Sequence, residues 1–192
     1  LNYIKIYNCG SKVTFNNIYG YIETLLLNYL INFKVCKKRI YISRHGQSMY
    51  NIEDRIGGDP DLTSEGYKYS EKLYKHISFH YKKEDIVIFT SNLKRTKITA
   101  NYFTKNGYQV KHREILNEID GGICENMTYS EIKEKMPEIF KRRKENKFLF
   151  KYPQGESYSD LIIRLKEFIL EINRIEKPIL IVCHNAIVRV LY

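Results

Sequence analysis

The chain has 192 residues, 43% hydrophobic and 28% charged, which is enough to bury one sizeable core and too apolar for a disordered segment. Its 32 Lys and Arg against 22 Asp and Glu leave a formal charge of +10, which suits an anionic partner without choosing among nucleic acid, lipid headgroups and a phosphorylated small molecule. The 4 cysteines form no Cys-x-x-Cys pair, so neither a zinc site nor a disulfide framework is indicated and a reducing cytosol is the expected compartment; the apolar run TLLLNYLINF is too short to span a bilayer.

YIKIY and KVTF read as two alternating strands around the turn signal NCGS, that is, a hairpin. Ile18, Ile22, Leu25, Leu26 and Tyr29 recur at helical spacing and predict a helix over 17–31 with one apolar face. Lys37, Lys38 and Arg39 precede the apolar strand IYIS, and a boundary is placed near residue 38. PDLTSEG opens a helix with Thr63 as N-cap and Glu65 in its first turn, continued by Tyr69, Leu73, His76 and Ile77. DIVIFTS is a buried-strand candidate, and NLKRTKITANYF a helix with Arg95 in its first turn. Thr128 and Glu131 stand at capping-box spacing, and Pro137 bends or ends the helix they start. A long amphipathic helix is predicted over 158–175, and PILIVCHNAIVRVLY is an apolar strand that ends on His184 and turns into a helix. Strands alternating with helices predict an α/β domain, a mainly parallel sheet with helices on both faces.

Two of these strands end in histidine, at His45 and His184, and a third ends just before the helix that carries Arg95. Ligand sites of open α/β sheets lie beyond the carboxyl ends of strands, so the three ends are expected to share one site. Phosphate recognition needs donors on several oxygens, which the guanidinium forks of Arg44 and Arg95 offer in a fixed plane. A neutral imidazole between them, His45, can attack phosphorus in line and split hydrolysis into two easier steps. His184, if protonated, would stabilise the transferring oxygens. A carboxylic acid must protonate the leaving alkoxide, and the loop LNEIDGGICE offers both Glu118 and Asp120. The basic run KRRKENKFLFK reads either as an exposed helix face or as a second anion site, with no nucleic-acid recognition motif. Gly57 and Gly58 either admit a phosphate to the backbone or form a plain tight turn. His76, His80 and His112 have no arrangement that asks for chemistry.

RHG followed by Asn51, then GGD, TSNLKRT, NEIDGGICE and CHNA, resemble the histidine phosphatase, or phosphoglycerate mutase-like, superfamily. Within it, ILNEIDGGICENMTYSEI and YPQGESYSDLI are similar to the fructose-2,6-bisphosphatase domains of bifunctional kinase/phosphatase enzymes. YIKIYNCG and IETLLLNYLINF resemble the last hairpin and helix of the kinase half. The resemblance implies a kinase-domain remnant over 1–38 and a C-terminally truncated phosphatase domain over 39–192, with the remainder of a bifunctional chain as partner. It implies His45 as phosphoryl acceptor, Glu118 as general acid, and Arg44, Asn51, Arg95 and His184 around the reacting 2-phosphate of fructose 2,6-bisphosphate. Tyr129, Arg143, Lys147, Tyr158, Asn185 and Arg189 would hold the sugar's 6-phosphate side. No metal or other cofactor, no nucleic acid and no membrane is implied, and the location is cytoplasmic.

The chain departs from that pattern in three places. Gln47 stands where Glu is usual, Asn185 replaces a longer Gln, and the chain runs only 8 residues past His184, which loosens the expected placement of Arg189. With no P-loop, kinase activity is not expected. The alternatives are a phosphatase or mutase acting on another phosphorylated metabolite, or a catalytically idle binding fragment. Beginning on Leu1 rather than Met, the sequence is expected to be a piece of a longer one.

Overall fold

A computed structural model of the protein describes residues 1–7, 12–32 and 38–192. Two strands, β1 (Tyr3–Tyr7) and β2 (Lys12–Asn16), pair antiparallel with Tyr7 opposite Lys12, as the alternating pattern predicts. The turn signal NCGS that joins them, and Cys9 and Cys36, lie outside the described residues. Helix α1 (Tyr21–Asn32) follows, but its expected apolar face is not a buried one. Ile22, Leu25, Leu26 and Tyr29 are exposed, and Leu27, which the periodicity left off that face, is the buried residue.

Four strands make the second sheet: β3 (Ile40–Arg44), β4 (Val87–Thr90), β5 (Val110–His112) and β6 (Ile179–Cys183), all parallel in the order β3-β6-β4-β5. The chain moves outward from β3 to β5, then returns to insert β6 between β3 and β4. Every residue of β4 and β6 is buried, and β6 alternates between two cores. Ile179, Ile181 and Cys183 meet Leu161, Leu165 and Phe168 of α8 (Tyr158–Asn173) and Ala186 and Ile187 of α9 (Asn185–Leu191). Leu180 and Val182 meet Ile77 of α3 (Ser64–His80) and Phe103 on the opposite face. The sheet is therefore covered on both sides, as a parallel sheet without a solvated face requires.

Local signals set most of the helix starts. Thr63 caps α3 by accepting from the Gly66 amide, and Ser157 with Asp160 forms a capping box on α8, as Thr128 with Glu131 does on α6 (Tyr129–Lys135). Pro137 does more than end α6: it occupies the first turn of a new helix, α7 (Pro137–Glu145), where its missing N–H is not needed. The helix predicted over NLKRTKITANYF is divided at Ala100 (φ −90°, ψ 0°) into α4 (Lys94–Thr99) and α5 (Asn101–Lys105). A four-residue helix, α2 (Met49–Ile52), follows the first histidine. Below α6 and α7 lies a small separate core of Cys124, Ile132, Phe150 and Tyr152. Among the described residues, no helix is long and apolar enough to cross a membrane.

Candidate active site

The carboxyl ends of β3, β6 and β4 lie side by side, and the chain deposits its chemistry there. The His45 amide extends the ladder by donating to Cys183 O at 3.0 Å, so the residue after the strand is held as firmly as the strand itself. Its ring is buried, and Nδ1 lies 2.7 Å from Gly46 O. A carbonyl only accepts, so Nδ1 carries the proton and the Nε2 lone pair is left to act as nucleophile. Burial pushes His45 down to about 3; the Gly46 carbonyl opposes that fall, and Arg95 and Arg44 add to it. The imidazole is neutral at any physiological pH.

His184 follows β6 and is wholly buried, its ring centroid 5.2 Å from that of His45. Arg95 Nε donates to its Nδ1 at 3.3 Å, so Nε2 bears the proton and donates to Ser91 Oγ at 2.8 Å. The structure places His184 outside the cavity wall, and burial, then the charge of Arg95, lowers its pKa. It stands behind Arg95 and fixes it. Arg95 also donates to Gly58 O and lies 3.7 Å from Asp59. Burial lowers Arg95 from its ordinary value, against the pull of Glu118, Asp59 and Glu125.

His45, Arg44, Asn51, Arg95 and Glu118 line one end of a single cavity of about 510 Å³. Arg44 is exposed and has no ion pair among the described residues. Asn51 Oδ1 accepts from the Ser48 amide at 3.0 Å, which leaves its NH₂ as the donor to a ligand. Of the two acid candidates, only Glu118 lies here. Its Oε1 accepts from the amides of Ile119 (3.0 Å) and Ala186 (3.2 Å), and burial raises its pKa despite those bonds and the nearby arginines. With Oε1 occupied by two donors, Oε2 is the oxygen left to carry a proton when the carboxyl is protonated. Asp120 is instead exposed, closing a local turn onto the Gly122 amide at 2.7 Å.

Tyr129, Arg143, Lys147, Tyr158, Asn185 and Arg189 line the same cavity. Arg143 donates through Nη2 to the Tyr129 hydroxyl (2.8 Å) and through Nε to that of Tyr152 (2.6 Å). Arg143 and Lys147 do not share a helix face: α7 ends at Glu145, and Lys147 sits in the turn that follows. The turn nonetheless returns it to the cavity, where burial and the charges of Arg189 and Arg143 lower its pKa. Arg143, Lys147 and Arg189 are thus close enough to act on one another's charge.

The glycine pair forms a tight turn in which the Gly58 amide is already occupied. Gly57 and Gly58 have φ of 66° and 58°, and the Gly58 amide is taken by Glu125, which also accepts from the Gly121 amide at 2.7 Å. Gln47 accepts the Thr63 hydroxyl on Oε1 at 2.9 Å, as a Glu would, and lies outside the cavity. Sequence reasoning missed the residues that hold others in place: Ser91, Glu125 and Tyr152. All three lay inside quoted motifs, but nothing local assigns Ser91 and Glu125 partners more than 60 residues away.

The model of the histidine phosphatase superfamily (branch 1) matches residues 40–192. Over its whole length the chain is 40% identical to a fructose-2,6-bisphosphatase of Saccharomyces cerevisiae and 41% identical to a 6-phosphofructo-2-kinase/fructose-2,6-bisphosphatase of Gallus gallus. It spans only 42% and 40% of those proteins, about two fifths of their length. Among solved structures, Bacillus stearothermophilus YhfR is similar at a TM-score of 0.71 with 27% identity, over 79% of this chain and 76% of that one. The alpha-ribazole phosphatase of Shigella flexneri shares the fold at 0.72 with 21% identity, over 80% and 77% of the two chains. The match begins on the first residue of β3 and takes in both strand-end histidines, so the chain belongs to the histidine phosphatase superfamily, branch 1.

Proposed function

We propose that this chain hydrolyses the 2-phosphate of fructose 2,6-bisphosphate, giving fructose 6-phosphate and phosphate through a phosphohistidine at His45. The observation that carries the reading is a single cavity lined by two groups of cations, Arg44 and Arg95 beside His45 and Arg143, Lys147 and Arg189 beside one another, with the Glu118 carboxyl next to the first. A monophosphate needs only the first cluster; a ligand with two phosphates accounts for Arg143, Lys147 and Arg189 as well.

In the first half-reaction the Nε2 lone pair of His45 forms the N–P bond. The bond from phosphorus to the sugar oxygen breaks with its electron pair on oxygen, and that oxygen takes the proton of Glu118 Oε2. In the second, the Glu118 carboxylate removes a proton from water, the water oxygen attacks phosphorus, and the N–P pair returns to Nε2. Arg44 and Arg95 carry the phosphoryl oxygens throughout, with Arg95 held by His184. Asn51 donates to the same group. Charge stabilisation comes from these side chains, so the proposal includes no metal or other cofactor.

We assign residues 1–38 to the end of a kinase domain and the rest to the phosphatase domain, the chain forming part of a bifunctional protein. Support comes from relatives whose names join the two activities and whose similarity covers the first 38 residues. A cytoplasmic setting belongs to the same reading, supported by the buried free thiols of Cys124 and Cys183. The test is incubation with fructose 2,6-bisphosphate labelled in the 2-phosphate. Acid-labile, alkali-stable label on protein and released phosphate are expected, both absent in His45→Ala. Full turnover by that variant would remove the mechanism.

A further inference from the structure

Glu118 is held by its own carboxylate contacts, yet the loop that carries it belongs to no strand or α-helix. Its backbone carbonyls must find donors elsewhere. One side chain supplies several of them. Arg164 of α8 donates from Nη1 to Ile115 O (3.1 Å) and from Nη2 to Asn117 O (3.1 Å), with longer approaches of 3.5 Å to Glu114 O and Glu118 O. Nη2 also donates to Glu156 Oε2 at 3.0 Å. That same carboxylate oxygen accepts from the Asp120 amide at 3.0 Å, and the Glu156 amide donates to Asp120 O at 2.9 Å. Asn117 is therefore fastened by Arg164, Asp120 by Glu156, and Arg164 joins the two fastenings. Arg164 itself rises from a rigid base, since Leu161 and Leu165 on either side of it are wholly buried against the sheet.

We propose that Arg164 is the positioning residue for the acid: its guanidinium fork, braced by Glu156, sets where the Glu118 carboxyl stands relative to the leaving oxygen. Arg164 is absent from the wall that holds His45 and lines a neighbouring depression, so it touches no substrate. Geometry of this kind matters because a misplacement of about 1 Å at a catalytic group can cost roughly a hundredfold in rate. The inference rests on the phosphatase reading above, with Glu118 as proton donor.

The test exploits the leaving group. Release of a sugar alkoxide requires the proton of Glu118, whereas p-nitrophenolate leaves without one. Single-turnover phosphorylation of His45 is measured with fructose 2,6-bisphosphate and with p-nitrophenyl phosphate, in wild type, Arg164→Met and Arg164→Lys. Arg164→Met is expected to slow the sugar reaction roughly tenfold to a hundredfold with KM unchanged, while the p-nitrophenolate burst keeps its wild-type rate. Arg164→Lys restores charge but not the fork, and remains selectively slow. An equal fall on both substrates means a merely structural role and overturns the proposal, as does full rescue by Lys. Should Arg164→Met fail to fold, Glu156→Gln, which weakens the brace but keeps an acceptor for the Asp120 amide, shows the same selectivity at smaller size; a folded Glu156→Gln without it also overturns the proposal. The two readings fail separately: a wild type with no burst on either substrate removes the phosphatase reading and this one with it, whereas an active wild type with unselective variants removes only the role of Arg164.

Discussion

At the reacting end of the cavity His45 and His184 each follow a strand directly, and Arg95 lies in the first turn after β4; at the far end Tyr129, Arg143 and Lys147 stand on two short helices and the turn after them. The first group inherits its geometry from the ladder hydrogen bonds of a sheet whose two central strands are wholly buried. The second rests on four buried side chains, Cys124, Ile132, Phe150 and Tyr152, and on two tyrosine hydroxyls that hold one guanidinium. In the proposed reaction, bond-making thus falls to residues at the ends of the sheet, and recognition of the remote phosphate to a unit with its own small core. Substitutions at the two ends should accordingly separate chemistry from selectivity.

The largest separation is expected from replacing Arg143 and Lys147 together with Ala. At about 1.5–3 kcal/mol per charged hydrogen bond lost, hydrolysis of fructose 2,6-bisphosphate falls by several kcal/mol in kcat/KM, while that of p-nitrophenyl phosphate keeps its rate. Equal losses on both substrates would break the comparison and the substrate assignment. On the reacting side, Glu118→Gln slows phosphorylation by the sugar substrate by roughly a hundredfold. The same change should raise the melting temperature at pH 7. A folded-state pKa above the ordinary value means that the carboxyl contributes stability below about pH 4.5 and loses it as pH rises through the shifted value, a loss Gln does not suffer. A lower melting temperature would mean that the charge is welcome there.

Ile132→Ala sharpens the comparison from the packing side. The side chain is 1% exposed in the small core, and its truncation is expected to cost about 2–5 kcal/mol in denaturant unfolding and to raise KM for the bisphosphate, with the p-nitrophenolate burst intact. The smallest effect per step belongs to acidification. His45 and His184 are both held below the ordinary histidine value of 6.5, so their neutral forms leave stability complete above 6.5, and stability declines as pH falls from there toward about 3. Each contributes a slope of about 1.4 kcal/mol per pH unit, and His45→Ala should flatten the profile. An unchanged slope would show that the ring is already charged in the folded state.

The reacting end was more legible than the far end, for a physical reason. Apolar runs that stop on a functional residue announce both a strand and its carboxyl end, so IYIS before Arg44 and His45, and ILIVC before His184, carried position and chemistry together. KRRKENKFLFK carried only charge. Whether Arg143 and Lys147 shared a helix face depended on where α7 stopped, and the Asn146 backbone (φ −144°, ψ 82°) that stops it has no strong local signal. The apolar stripe on α1 misled in the opposite way: helical periodicity describes a face and does not say what covers it.

From residues alone came the α/β class, the alternation of strands with helices, the capping at Thr63 and Thr128, and the candidates themselves. These depend on side-chain period and on neighbours within one turn, which the order of residues contains. Residue chemistry left Glu118 and Asp120 both open and the family resemblance implied Glu118; tertiary structure brings only Glu118 to the cavity, because the approach of α9 sets the Ala186 amide on its carboxylate and leaves Asp120 in a local turn. It alone showed His184 to be neutral and set behind Arg95, since a tautomer is fixed by its partners, here Ser91 and Arg95, each about 90 residues distant in the chain. Burial and long-range hydrogen bonds set protonation, and neither is a property of a short stretch of sequence.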